Sequence, residues 1–215
     1  MTVNAVWTDF GGVLTPPISY TMSRFCATHG LDPALAGKAA WKVAQRYGTD
    51  DIMLPLDTPL VTEREWLRQI SEELATFGVE VQLTTMVDAW FDGRETNHAW
   101  LEQLRAIRRR GLFVGMLSNM VPAWDLHWRR MVDPATAFDD VVLSFEVGHR
   151  KPNREIFEIA ARRAGTRPEE NVFVDDLAAN CAGARAAGWQ AIHFTDTTDA
   201  IARLDDVLPL GRQFI

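Results

Sequence analysis

V-N-A-V-W-T-D-F-G-G-V-L, residues Val3 to Leu14, decides the fold. An apolar run ends in an acid, Asp9, and then breaks on two glycines, Gly11 and Gly12. That is the pattern of a short buried strand that presents a carboxylate at its carboxyl end, where open α/β sheets keep their chemistry. On its own the stretch fits a strand capped by a turn better, since Asp and Gly are ordinary turn residues. The rest of the chain decides between the two.

Four further apolar runs read as buried strands: 112 to 117 (L-F-V-G-M-L), 140 to 143 (D-V-V-L), 171 to 174 (N-V-F-V) and 190 to 194 (Q-A-I-H-F). Amphipathic stretches separate them. Over 97–110 the spacing puts Trp100, Leu101, Leu104 and Ile107 on one helical face, with Gly111 as the stop. Over 153–164 it puts Ile156, Phe157, Ile159 and Ala160 inward, with Gly165 at the end. Strand and helix in alternation imply parallel βα units. Residues 16–93 differ: after the stiff Thr15-Pro16-Pro17 hinge they show helical periodicity without a convincing strand, and Thr62 with Glu65 has capping-box spacing. An insertion placed directly after the first strand would lie above the carboxyl edge of the sheet, as a lid does. Trp41, Trp66, Trp90 and Trp100 sit at helical spacing among apolar neighbours and read as core. Trp124 and Trp128, four apart just after Ser118-Asn119, read as packing residues first and as an edge of the cleft second.

With 215 residues, 47% of them apolar and 24% charged, the chain suits a soluble globular protein with an ample core. A formal net charge of -7 leaves no basic footprint for nucleic acid. Cys26 and Cys181 are far apart and at no metal-ligand spacing, which points to small core residues in a reducing compartment. No segment reads as a signal peptide or a membrane span, so the expectation is a cytoplasmic protein without membrane or nucleic-acid partners.

Three later segments join Asp9. L-S-N puts Ser118 and Asn119 at the end of a strand, where a hydroxyl and backbone amides can hold an anion. V-G-H-R-K-P-N-R-E-I-F puts Lys151 just ahead of a helix. N-V-F-V-D-D-L-A-A-N puts Asp175 and Asp176 side by side at a strand end, a repelling pair that asks for a hard divalent cation.

Asp9, Ser118, Lys151 and Asp175-Asp176, in that order and with a helical insertion after the first, resemble the four motifs of the haloacid dehalogenase superfamily of hydrolases. The resemblance spans nearly the whole chain and is closest to the branch that includes the phosphatase-like amino-terminal domain of soluble epoxide hydrolase. It implies an α/β fold, a three-layer Rossmann-like parallel sheet formed by residues 1–15 and 94–215, with 16–93 as an inserted α-helical cap. It implies a Mg²⁺-dependent phosphatase acting on a small phosphorylated metabolite, as a monomer or homodimer. Asp9 would be the nucleophile. Mg²⁺ would be held by Asp9, the Gly11 backbone carbonyl, and Asp176 assisted by Asp175. Ser118, the Asn119 backbone and Lys151 would bind the phosphoryl group, and Asn180 would orient the acids or Lys151. Arg24, Arg46 and Tyr47 are the cap's polar candidates for choosing the substrate.

Gly11 departs from the family pattern, in which a second Asp protonates the leaving group and later activates water. Losing that help is worth about 10²- to 10⁴-fold in rate. The expectation is therefore a phosphatase that is slow or restricted to good leaving groups, with His149 the nearest candidate for a substitute acid. The alternative is a noncatalytic phospho-ligand sensor or partner protein that keeps the geometry but has lost the proton shuttle. A haloacid dehalogenase is disfavoured by the acidic pair, and a phosphomutase by Gly11.

Overall fold

The computed structural model describes residues 2–208. Five strands, β1 (Ala5–Thr8), β2 (Phe113–Ser118), β3 (Asp140–Leu143), β4 (Asn171–Asp175) and β5 (Gln190–His193), form one parallel sheet in the order β3-β2-β1-β4-β5. The four later strands fall within a residue or so of the runs expected from apolar patterning. After β1 the chain builds outward through β2 and β3, then crosses back to add β4 and β5 on the other side. The crevice between β1 and β4 is thus the point where strand order reverses, and ligands of open α/β sheets bind there. Register carries the acids to it: Thr8 pairs with Val174, so Asp9 and Asp175 each stand one residue further along neighbouring strands.

Helices cover both faces. On one face Ala5, Trp7, Leu117, Val142 and Phe173 pack with Ile156, Phe157, Ala160 and Ala161 of the helix Arg154–Ala164 and Ala184 of the helix Ala178–Ala186. Ile159 is only partly buried against that cluster. On the other face Trp100, Leu104 and Ile107 of His98–Arg109 lie with Ala200 and Leu204 of Thr197–Val207, all fully buried. Trp100 donates its Nε1–H to Thr8 Oγ1 at 3.0 Å from this side. Each such large apolar side chain contributes roughly 1.5–3 kcal/mol on burial. Gly115 lies directly opposite Trp7 in the ladder, and a Cβ there would meet the indole at 2.4 Å; a glycine inside this strand makes room for the ring.

The molecule divides into two compact units. The first holds the sheet: the described residues up to Pro17, Glu95–Asn119, and those from Met131 onward. The second, Ile18–Arg94 with Met120–Arg130, is helical, with no strand among the described residues. Its main helices are Ile18–Thr28, Pro33–Arg46 and Glu63–Thr76. Asp32 caps the second by accepting from the N–H groups of Ala34 and Leu35, with Pro33 at the first helical position. Its small face, Ala36, Ala39, Ala40, Val43 and Ala44, packs on the third helix, whose buried side is Trp66, Leu67, Ile70 and Leu74. Thr62 Oγ1 accepts the Glu65 N–H at 3.3 Å, but the Glu65 carboxylate turns to Arg68 and Gln69, so only half of the capping box forms.

Two expectations need correction. Residues 120–130 were expected within the 94–215 sheet segment, yet they pack with the helical unit. Trp124 stacks on Trp90 at 4.3 Å and donates its Nε1–H to Glu63 at 2.8 Å. Trp41 is 45% exposed, off the alanine face of its helix, with its N–H donated to Asp50, whereas Trp66, Trp90, Trp100, Trp124 and Trp128 are all buried. Cys26 and Cys181 are both buried free thiols. Among the described residues no helix is long and apolar enough to cross a membrane.

Candidate functional site

Lys151 sits at the centre. Its side chain is 1% exposed, and its ammonium lies 2.8 Å from Asp9 Oδ1 and 2.7 Å from Asp175 Oδ2. A buried cation persists only when paired and hydrogen-bonded, and here two carboxylates do both. Its backbone is held as well. Asn119 Nδ2 donates to Lys151 O at 3.0 Å, and Lys151 N–H donates to Asn119 Oδ1 at 2.8 Å. That reciprocal pair ties the end of β2 to the Lys151 loop. Next to it, a Cβ on Gly183 would lie 2.3 Å from Pro152 O, so a glycine lets the helix Ala178–Ala186 come up against the residue after the lysine. The Lys151–Pro152 peptide is cis.

Asp9 is 7% exposed. Its Oδ1 also accepts the N–H of Phe10 at 2.7 Å, and its own N–H donates to Val174 O. Asp175, fully buried, is saturated: besides Lys151 it accepts from Leu177 N–H at 2.8 Å, and Asn180 Nδ2 reaches both of its oxygens at 3.1 and 3.0 Å. Asn180, expected to orient the acids or Lys151, therefore acts on Asp175. Asp176 is half-buried and leans on Gly12, where a Cβ would fall 2.0 Å from its Oδ2. Gly12 has φ +82°, so that position favours glycine on two grounds. Ser118 is buried at the end of β2.

The electrostatics match the crowding. Burial pushes the Asp9 carboxyl up to about 7; Lys151 opposes the rise, and Asp175 and Asp176 add to it. Burial, and then Asp175, push Asp176 up to about 6. For Lys151 burial alone would lower the value, but Asp175 and Asp9 outweigh it, so the lysine holds its proton more tightly than usual. One lysine does not satisfy three acids. One oxygen from each of Asp9, Asp175 and Asp176 can lie within 4.8 Å of the others, a donor set suited to a small hard cation. A cleft of about 510 Å³ opens beside Asp176, lined by Gly12, Thr15, Asn97, Phe194 and Thr197 among others.

His149 is exposed in the stretch before Lys151. In the helical unit, Arg46 is paired with Glu73, Tyr47 OH accepts from Gln69, and Arg24 donates to Asp92 O. Nothing in the local sequence pattern announces Asn119's side-chain grip, the role of Gly12, or His193, whose ring reaches Asp176 O. Gly183 had a signal: a glycine inside a helix lowers helix propensity and marks close packing.

A parallel sheet with its charged groups gathered at the carboxyl edge, beside the strand-order reversal, is the Rossmann-like α/β arrangement. More narrowly, the chain belongs to the haloacid dehalogenase-like hydrolase family, whose model matches residues 3–188. It is 36% identical over 95 residues to a sesquiterpene phosphatase of Aspergillus oryzae, covering 44% of this chain and 48% of that protein. It is 28% identical over 128 residues to bifunctional epoxide hydrolase 2 of Rattus norvegicus, covering 56% of this chain and 22% of that one. The chain thus spans at most about half the length of these curated relatives. A HAD family enzyme of Bacteroides thetaiotaomicron shares the fold with a TM-score of 0.67 at 23% identity, over 91% of this chain and 95% of that one. The same enzyme has also been crystallised with magnesium and inorganic phosphate.

Proposed function

We propose that this chain is a Mg²⁺-dependent phosphatase that hydrolyses a small phosphorylated metabolite through an aspartyl-phosphate on Asp9. The observation that carries the reading is the buried Lys151 ammonium bridging Asp9 and Asp175, with Asp176 beside them. Relatives named as phosphatases support it, the Aspergillus oryzae protein among them.

The chain's own groups divide the work. Phe10 N–H and Lys151 hold Oδ1 and fix the Asp9 carboxylate for in-line attack on phosphorus. Ser118, the Asn119 backbone and Lys151 hold the phosphoryl oxygens as charge shifts across them. The ester P–O bond breaks, and the leaving alkoxide takes its proton from water, because Gly11 has no side chain to supply one. A second water then cleaves the acyl phosphate, releasing phosphate and restoring the Asp9 carboxylate. Asp9, the Gly11 carbonyl and Asp176 would hold Mg²⁺, which when bound would supply positive charge against the phosphoryl oxygens. Asp175, which accepts from Lys151, Asn180 and the Leu177 N–H, holds the Lys151 ammonium in place and would assist Asp176 at the metal.

Gly11 keeps the sensor reading alive as an outcome of one experiment. Phosphate release in Mg²⁺ is measured over alkyl and aryl phosphates, acyl phosphates and sugar 1-phosphates, together with ligand binding by calorimetry. Turnover that favours good leaving groups supports the phosphatase. Tight binding of a phosphate ester with no release supports the sensor instead.

A further inference from the structure

We infer that His193 is a positioning residue for Asp176, holding its backbone so that the carboxylate stays turned toward Asp9. The inference rests on the reading of Asp176 as a magnesium ligand. Asp176 lies between the end of β4 and the helix Ala178–Ala186, in neither ladder. The helix begins by feeding Asn180 N–H and Cys181 N–H to Leu177 O, which leaves the Asp176 carbonyl outside it. His193 meets that carbonyl: its Nε2 lies 2.9 Å from Asp176 O. A carbonyl oxygen only accepts, so the ring proton is on Nε2 and donates.

His193 is itself well anchored. It closes β5 in register with Asp175, the next residue donates Phe194 N–H to Asp175 O at 2.9 Å, and Arg203 donates to His193 O at 3.2 Å. Asp176 is thus fixed from two sides: Gly12 leaves space for its carboxylate, and His193 stops its peptide from turning. Groups that orient metal ligands in this way typically change affinity by about 10- to 100-fold when removed.

The test compares Mg²⁺ binding by calorimetry, thermal stability in EDTA and phosphate release for the parent, His193→Phe, His193→Gln and His193→Asn. Gln places an amide N–H where Nε2 stood, and Asn stops one bond short. The expected result is a loss of Mg²⁺ affinity of about 10- to 100-fold in the Phe and Asn proteins, with Gln within about threefold of the parent. Should Phe fail to fold, the Asn–Gln contrast still decides. Equal Mg²⁺ affinity in all variants, or a Gln protein as weak as Asn, overturns the inference alone. A parent that binds no Mg²⁺ overturns the metal reading and the inference with it.

Discussion

Lys151 Nζ lies 2.8 Å from Asp9 Oδ1, and neither side chain is more than 10% exposed. The contact is largely shielded from water, and a second acid, Asp175, buried completely, shares the same ammonium. Removing the cation would strand two acids. Lys151→Met should therefore cost about 3–5 kcal/mol of stability at pH 8, the usual penalty for breaking a buried pair from one side. The cost should shrink at pH 5.5, where protons can neutralise the acids instead. Urea unfolding of parent and variant at the two pH values measures both. An equal loss at each would contradict the assignment of the cost to unpaired carboxylates.

The same acids set the pH dependence of the metal-free protein. Asp9 and Asp176 rise from an ordinary 3.8 to about 7 and about 6, so the folded state holds their protons more tightly than the unfolded state does. Their contribution is fully present below pH 4 and is lost as pH climbs through those values. Lys151 is raised as well, so its contribution runs in the same sense but far higher on the pH scale: it is fully present below the ordinary 10.5 and is lost as pH climbs through the raised folded value. Glu65, held down near 2 by Arg68, changes only in acid. Between pH 5.5 and 8 the two site acids should therefore lower the melting temperature in EDTA. Saturating Mg²⁺ should flatten that slope by taking the place of the protons. A melting temperature in EDTA that does not fall over this range contradicts the proposal.

Gly12→Ala should hit the metal site harder than the fold. The new methyl would lie 2.0 Å from Asp176 Oδ2, and φ +82° adds a backbone cost of roughly 1–2 kcal/mol. Gly30→Ala is the control: φ is +64° there, but nothing lies within 4 Å of the added carbon. Both proteins should lose similar stability in EDTA, while only Gly12→Ala should lose Mg²⁺ affinity, by about tenfold or more. Matching affinities would mean that Asp176 can move aside without leaving the metal.

Strand positions were legible because fully buried parallel strands are short apolar runs, and acids at their ends stand out against that background. Asp9 and Asp175 meet because β1 and β4 are neighbours in register; the alternation of βα units implies a parallel sheet but not that order. What stayed hidden depends on partners distant in sequence. Trp124 belongs with the helical unit because Trp90 and Glu63 receive it, and nothing local in V-P-A-W-D-L-H-W announces either partner. Asn119 read as a backbone donor for anions, while its side chain clamps a loop 32 residues further on. Trp41 carries the same spacing signal as buried tryptophans, yet its indole N–H satisfies Asp50 on the outer side. Helical periodicity identifies neighbours on a face and leaves open which face is covered.

Gly11 holds the largest leverage on rate. Its φ is not positive, unlike that of Gly12, so an L side chain meets no conformational objection there. Gly11→Asp would place a carboxyl group two residues after the nucleophile, where it could protonate a departing alkoxide and then deprotonate the attacking water. A poor leaving group needs that proton and a good one does not, so the gain should depend on the substrate. Hydrolysis of alkyl phosphates should rise by about 10²- to 10⁴-fold, while p-nitrophenyl phosphate, whose phenolate leaves unaided, should change far less. The ratio of kcat/KM for the two substrates, before and after the substitution, is the measurement. An unchanged ratio with intact Mg²⁺ binding would mean that another group already supplies the proton. His149→Gln in the parent would then be the next variant to assay on alkyl phosphates, since His149 lies two residues ahead of Lys151, the proposed phosphoryl-binding lysine.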